Sequence, residues 1–128
     1  MITKCLQIKI PLPTADNEGI PFPSADIKWF EGQLTQIGGG YRKHRWVEGA
    51  WNGGGKIDQE TVVLYACDIE PTELHEIQKL AAEARSIFRQ EAILVEVMPV
   101  IKFLVTGSGG DQEMAEVFSS AGEGHLNG

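Results

Sequence analysis

Apolar and polar residues alternate over the first ten positions, with Ile2, Leu6, Ile8 and Ile10 on one side and Thr3, Cys5, Gln7 and Lys9 on the other. A period of two is that of a half-buried strand, which places one over 2–10. Pro11, Pro13, Pro21 and Pro23 bracket the next stretch. Helices and central strands do not tolerate that proline density, so residues 11–23 are expected to form a long loop. Ser24 then serves as the expected N-cap of a helix whose Ile27, Phe30, Leu34 and Ile37 recur at helical spacing. Gly38-Gly39-Gly40 ends it by supplying a left-handed cap.

A strand over 41–51, a turn at Asn52-Gly53-Gly54-Gly55-Lys56 and an apolar strand over 61–69 read as a hairpin. Pro71 and Thr72 open a second helix with a continuous stripe from Leu74, Ile77 and Leu80 to Ala84 and Phe88. A fourth strand is expected over 93–105, its core face made of odd positions from Ile93 to Val105. Pro99 cannot donate to a ladder on both sides and directs that strand to a sheet edge or a bulge.

The order β-α-β-β-α-β is that of a ferredoxin-like α+β domain over 1–105. Right-handed crossovers give an antiparallel four-stranded sheet of order 4-1-3-2 with both helices on one face. Leu94, Met98, Val100 and Leu104 then fall on the bare face, which predicts a homodimer or higher oligomer. Residues 106–128 hold six of the fifteen glycines, four acids and no Lys or Arg. Within this tail Asp111 could cap a short helix over 111–121 with a Met114, Val117, Phe118 and Ala121 stripe, a docking element for this chain or a partner.

Composition narrows the function classes. A chain of 128 residues with 42% hydrophobic and 23% charged residues is long enough for one real core. No apolar run reaches membrane-spanning length. The net charge of −7 argues against nucleic acid or an anionic membrane as partner. The start of the chain lacks the basic head and continuous apolar run of a secretory signal, and Cys5 and Cys67 read as buried free thiols; both point to the cytoplasm. No spacing supports a metal site or a resident cofactor.

Two features could carry chemistry. The proline loop, the first helix's N-terminus, the glycine turn and the start of the fourth strand share one edge of this topology. They bring Asp16, Asn17, Trp51, Asn52, Lys56, Gln90 and Glu91 to one rim, a possible ligand pocket; the plainer alternative is a loop that only closes the core. The second feature is Arg42-Lys43-His44-Arg45-Trp46, the densest positive segment of an acidic chain. Alternation puts Tyr41, Lys43, Arg45 and Val47 on the core side, where the two cations must snorkel. Arg42, His44, Trp46 and Glu48 then lie on the open face, where they could hold a small anion or aromatic with His44 moving a proton. An edge strand protected by charge explains the same residues without a ligand.

Asp16-Asn17-Glu18-Gly19-Ile20-Pro21-Phe22, Gly38-Gly39, Glu48-Gly49-Ala50-Trp51 and Phe88-Arg89-Gln90-Glu91 resemble the motifs of a family of small uncharacterised bacterial proteins. The resemblance covers roughly residues 10 to 100. It implies a ferredoxin-like α+β domain, and no catalytic residue is carried over from it.

The reading that follows is a cytoplasmic homo-oligomeric binding module for a small anionic or aromatic ligand. Two alternatives stand beside it: a cofactor-independent enzyme with His44 as general base and Arg42 fixing the substrate, and a partner-binding protein that docks through 111–121.

Overall fold

The computed structural model describes residues 2–53 and 56–107, with side chains over 3–45 and 61–107. The expected tail helix at 111–121 and the side chains of Trp46, Glu48, Trp51 and Lys56 lie outside the described residues. Strand β1 spans Ile2–Pro13, helix α1 Ser24–Gly38, β2 Arg42–Gly53 and β3 Lys56–Ile69. A 3-10 turn at Pro71–Glu73 leads into α2, Leu74–Ile87, and β4 covers Glu96–Phe103. The sheet reads β2-β3-β1-β4 from one edge, which is 4-1-3-2 from the other. Both β1 and β2 pair antiparallel with β3.

By packing, the chain divides into two compact units, Leu6–Met98 and Met1–Cys5 with Pro99–Gly128. The main core belongs to the first. Even positions Ile8, Ile10 and Leu12 of β1 meet odd positions Tyr65, Cys67 and Ile69 of β3 on one sheet face. Phe30 and Leu34 of α1 join that cluster, as do Ile77, Leu80 and Ala84 of α2, so both helices cover the same face. Phe88, fully buried, stacks edge-on against Phe22 at 4.9 Å and Phe30 at 6.1 Å. Cys5 and Cys67 are buried and unpaired, and burial pushes the Cys67 thiol up to about 11.

Several expected boundaries shift for identifiable reasons. Strand β1 runs on through Pro11 and Pro13, which pair with Leu64 and Val62 of a central ladder. The Thr14 amide donates to the Thr61 carbonyl at 3.4 Å, so even positions point their amides at β3 and the prolines, which have no N–H, fall on the parity that faces away from β3. Proline is costly in a central strand only where the missing N–H had a partner. The loop therefore shrinks to 14–23, closed by an Ala15–Pro21 bridge. The hairpin is longer than the glycine run implied, since pairing extends out to Gly53 and Lys56. Ser24 is the first helical residue rather than the cap: the amides of Asp26 and Ile27 donate to the Pro23 carbonyl, and no side chain caps the helix.

Strand β4 is shorter than expected and is not a core strand. Its odd positions Val97 and Ile101 are each 43% exposed, alongside Leu94, Met98 and Leu104. The face away from the helices is also less bare than expected, since Val62 and Ala66 are buried there. Ala66 sits in register between Lys9 and Arg42, whose long stems shade a small residue.

Helix α1 ends where its chemistry permits close approach. Gly39 adopts φ 74° and donates to the Thr35 carbonyl at 2.9 Å. A Cβ on Gly38 would lie 3.1 Å from the Asp68 carbonyl oxygen and 3.2 Å from Cys67 Cβ, whereas one on Gly32 would meet open space. Gly32→Ala is expected to stabilise by up to about 1 kcal/mol through helix propensity. Gly38→Ala has the same propensity gain, yet it is expected to lower the melting temperature by forcing α1 off β3. Thermal unfolding of the two variants side by side checks this; a rise for Gly38→Ala would show that the contact yields freely.

Candidate functional site

The two features singled out in the sequence meet, with different residues in the lead. Lys43 pairs with Tyr65 across the β2–β3 ladder, which puts Lys43 on the helix-covered face and Arg42 and His44 on the other. A β-bulge follows between His44 and Val47: His44 faces Leu64, but Val47 faces Val62. Two residues of β2 thus oppose one of β3, and alternation slips by one. Glu48, opposite Thr61, is out of phase with Arg42 and His44, so the proposed quartet Arg42, His44, Trp46 and Glu48 does not share one unbroken register.

A cavity of about 270 Å³ opens on the helix side of this strand. Its apolar wall is Leu12 of β1, Val63 of β3, Phe22 of the loop and Ile27 of the first turn of α1. Lys43 and Arg45 line it from β2, and Tyr65 from β3. The cations that fit the core side poorly by alternation are therefore the polar groups of the site.

Lys43 is held in place. Its Nζ donates to Glu31 Oε2 at 2.6 Å and lies 5.5 Å from the centre of the Tyr65 ring. The Tyr65 hydroxyl donates to the same carboxylate oxygen at 2.8 Å. Burial alone would raise the Glu31 carboxyl, but the hydrogen bonds from Lys43 and Tyr65 outweigh it, and the group sits below its ordinary value. Burial first, and Glu31 second, raise the Tyr65 phenol. Arg45 differs: it is exposed and has no hydrogen-bond or ion-pair partner among the described residues. The cavity thus presents one fixed, neutralised cation and one guanidinium with no partner among the described residues, above an apolar wall.

The loop that supplies Phe22 is built rather than slack. Asp16 Oδ1 accepts from the amides of Glu18 and Ile20, both at 2.9 Å, and Gly19 takes φ 82° to close the turn. Arg89 fastens the loop to the end of α2, its guanidinium 3.0 Å from Asp16 Oδ2. Arg89 itself adopts φ 51° as the left-handed residue of a Schellman closure, with the Gln90 amide donating to the Arg85 carbonyl at 2.9 Å.

The other expected site residues fall elsewhere. Asp16 is a turn residue whose oxygens are all but hidden by these bonds, and Asn17 is an exposed position of the same turn. Gln90 spends its amide on the Phe88 carbonyl at 2.9 Å. Arg42 pairs with Asp68 at 3.5 Å on the face away from the cavity, and His44 on that same face is exposed. The arrangement of Arg42 and His44 is that of a charge-protected edge. Trp51 and Lys56 pair with Asp58 and Gly53 in the hairpin ladder. The sequence did carry a sign of this cavity's polar side: two cations at core parity, with Glu31 on the covering helix to receive one of them.

A second cavity, of about 340 Å³ between α1 and α2, is polar and lined by Glu73, Glu76, Glu83 and Lys79 among others. Among the described residues no group of three His, Cys, Asp or Glu could hold a metal ion, and no helix is long and apolar enough to cross a membrane.

No family model and no curated protein matches the sequence. Solved structures do. The chain is similar to CutA1 from Oryza sativa, with a TM-score of 0.58 and 12% identity over 80% of this chain and 84% of that one. It is similar to the divalent cation tolerance protein CutA1 from Thermus thermophilus, with a TM-score of 0.54 and 9% identity over 88% and 93%. A phage SAM lyase in complex with S-methyl-5'-thioadenosine gives a TM-score of 0.57 and 13% identity over 80% and 93%. At these identities what the chain shares with them is the fold.

Proposed function

We propose that this chain is a cytoplasmic, self-associating binding module for a small ligand that joins an anionic group to an apolar or aromatic body. The observation that carries the reading is Arg45, without a hydrogen-bond or ion-pair partner among the described residues, beside an apolar wall of Leu12, Phe22, Ile27 and Val63. A guanidinium attracts a planar anion through paired N–H donors, and the wall takes the body of the ligand by burial. The phage SAM lyase that shares the fold has a structure in complex with S-methyl-5'-thioadenosine, a small molecule with an aromatic body. Self-association is supported by the apolar exposure of β4, where Val97, Met98 and Ile101 all face solvent on an edge strand.

The test is titration of 2-naphthoate into wild type, Arg45→Ala and His44→Ala. Losing a charge-assisted pair of hydrogen bonds is expected to weaken binding about tenfold or more in Arg45→Ala. His44→Ala, altered on the opposite face, is expected to bind as wild type does. Loss of binding in His44→Ala with Arg45→Ala unaffected, or no binding by wild type, would overturn the site.

A further inference from the structure

An anionic group beside Arg45 could be a carboxylate or a phosphate, and the charges around Lys43 decide between them. We infer that Glu31 makes this site selective for monoanions, aromatic or apolar monocarboxylates, over dianions such as phosphate monoesters of the same body. The inference rests on the site proposed above and assigns Glu31 as a specificity-determining residue.

The charges within reach of the ligand can be counted. Among the described residues lining the cavity, only Lys43 and Arg45 are charged. If both were free, the site would offer two cations and favour a phosphate. Lys43 is not free: Glu31 Oε2 lies 2.6 Å from its Nζ, and the side chains are only 22% and 17% exposed. Glu31 cannot swing into water without abandoning the Tyr65 hydroxyl as well, 2.8 Å from the same oxygen. One positive charge is therefore left in excess, on Arg45. A monocarboxylate matches it, its two oxygens accepting from the paired N–H donors of the fork. A dianion placed there brings a second negative charge for which the cavity's described lining has no uncompensated cation, because Lys43 is already paired with Glu31.

The walls are fixed by packed residues, with Phe22 held edge-on by Phe88 at 4.9 Å and Tyr65 by Phe30 at 5.1 Å. Lys43 is additionally kept over the Tyr65 ring at 5.5 Å, so its ammonium does not reach a new anion without losing two interactions at once.

The experiment compares 2-naphthoate with 2-naphthyl phosphate, one body with two charges, by calorimetric titration at pH 8 and low salt. Wild type is expected to bind the carboxylate about tenfold more tightly or better. Glu31→Gln keeps the shape and an acceptor for Tyr65 but frees the Lys43 charge. It is expected to raise affinity for the phosphate about tenfold, closing or inverting the preference. The double variant Glu31→Gln/Lys43→Gln returns the site to a single cation and is expected to restore the carboxylate preference, a reversal that a damaged fold would not produce. Far-ultraviolet circular dichroism of each variant confirms folding. Equal wild-type binding of both compounds, still lost in Arg45→Ala, would overturn the selectivity and leave the site standing. Binding of neither compound would overturn both. An unchanged preference in folded Glu31→Gln would strip Glu31 of this role.

Discussion

Phe88→Ala is expected to destabilise the protein by about 3–5 kcal/mol, the range for deleting a fully buried aromatic. Phe88 is 0% exposed and closes α2: its amide donates to the Ala84 carbonyl at 2.8 Å, and its ring fills the angle between Phe22 and Phe30. Three elements meet on that ring, α1, α2 and the loop. No neighbour is free to collapse into the space, because Phe30 is itself fixed edge-on against Tyr65. In urea denaturation the midpoint should fall sharply, while Phe88→Leu, which keeps most of the volume, should lose far less. A second effect follows from the position of Phe22, which packs on Phe88 from one side and walls the cavity on the other. Ligand affinity should therefore drop in Phe88→Ala under conditions where the variant is still folded. A loss below about 1 kcal/mol would mean that the loop and helix repack around the gap, contrary to the density expected of such a core.

The order and type of all six regular elements were legible, because each is written in residues that answer to one local rule. The Ile27, Phe30, Leu34 and Ile37 stripe and the Leu74 to Phe88 stripe have no reading but helical, and Pro99 and the element order between them set the sheet. What local pattern could not show was direction and phase. Pro11 and Pro13 read as strand breakers, yet they stand in a central strand because both fall on the parity whose amides face away from β3. That parity is a property of the pairing, not of the residues. Likewise the alternation Arg42, His44, Trp46, Glu48 holds only as far as His44, since the bulge before Val47 is invisible in composition. The cations lining the cavity escape the sequence reading for a related reason. Charged residues at core parity read as an inconvenience to be snorkelled away, while the same residues beside an acid on the covering helix make a polar wall.

Asp16 shows the complementary case. An acid followed by Asn17 in a loop near a helix N-terminus has the look of a ligand residue, and in the structure every one of its oxygens is occupied in building the turn or receiving Arg89. Such a residue matters to the site by keeping Phe22 and Thr14 where the cavity needs them. The distinction between holding a ligand and holding a loop depends on which donors lie within 3 Å, and these come from positions 2, 4 and 73 residues away.

Glu31→Ala is expected to cost about 2–3 kcal/mol at neutral pH, the scale of removing hydrogen bonds to a charged group and leaving their donors behind. Lys43 Nζ and the Tyr65 hydroxyl both lose their acceptor, and Tyr65 is 2% exposed, too deep to exchange it freely for water. The pH dependence carries a definite sign. Glu31 has a carboxyl lowered in the folded protein from an ordinary value of 4.5, with burial opposing and the Lys43 and Tyr65 hydrogen bonds prevailing. A lowered acid contributes stability that is complete above the unfolded value and is lost as the pH falls through the folded one. The stability gap between wild type and Glu31→Ala should therefore be flat from pH 8 down to about 5 and shrink only below 4.5, as protonation removes from wild type what the substitution removed from the variant. Chemical denaturation of both proteins at a series of pH values measures the gap directly. A gap that already closes near neutrality would require a raised carboxyl at Glu31, and with it a free Lys43 and a site open to two negative charges.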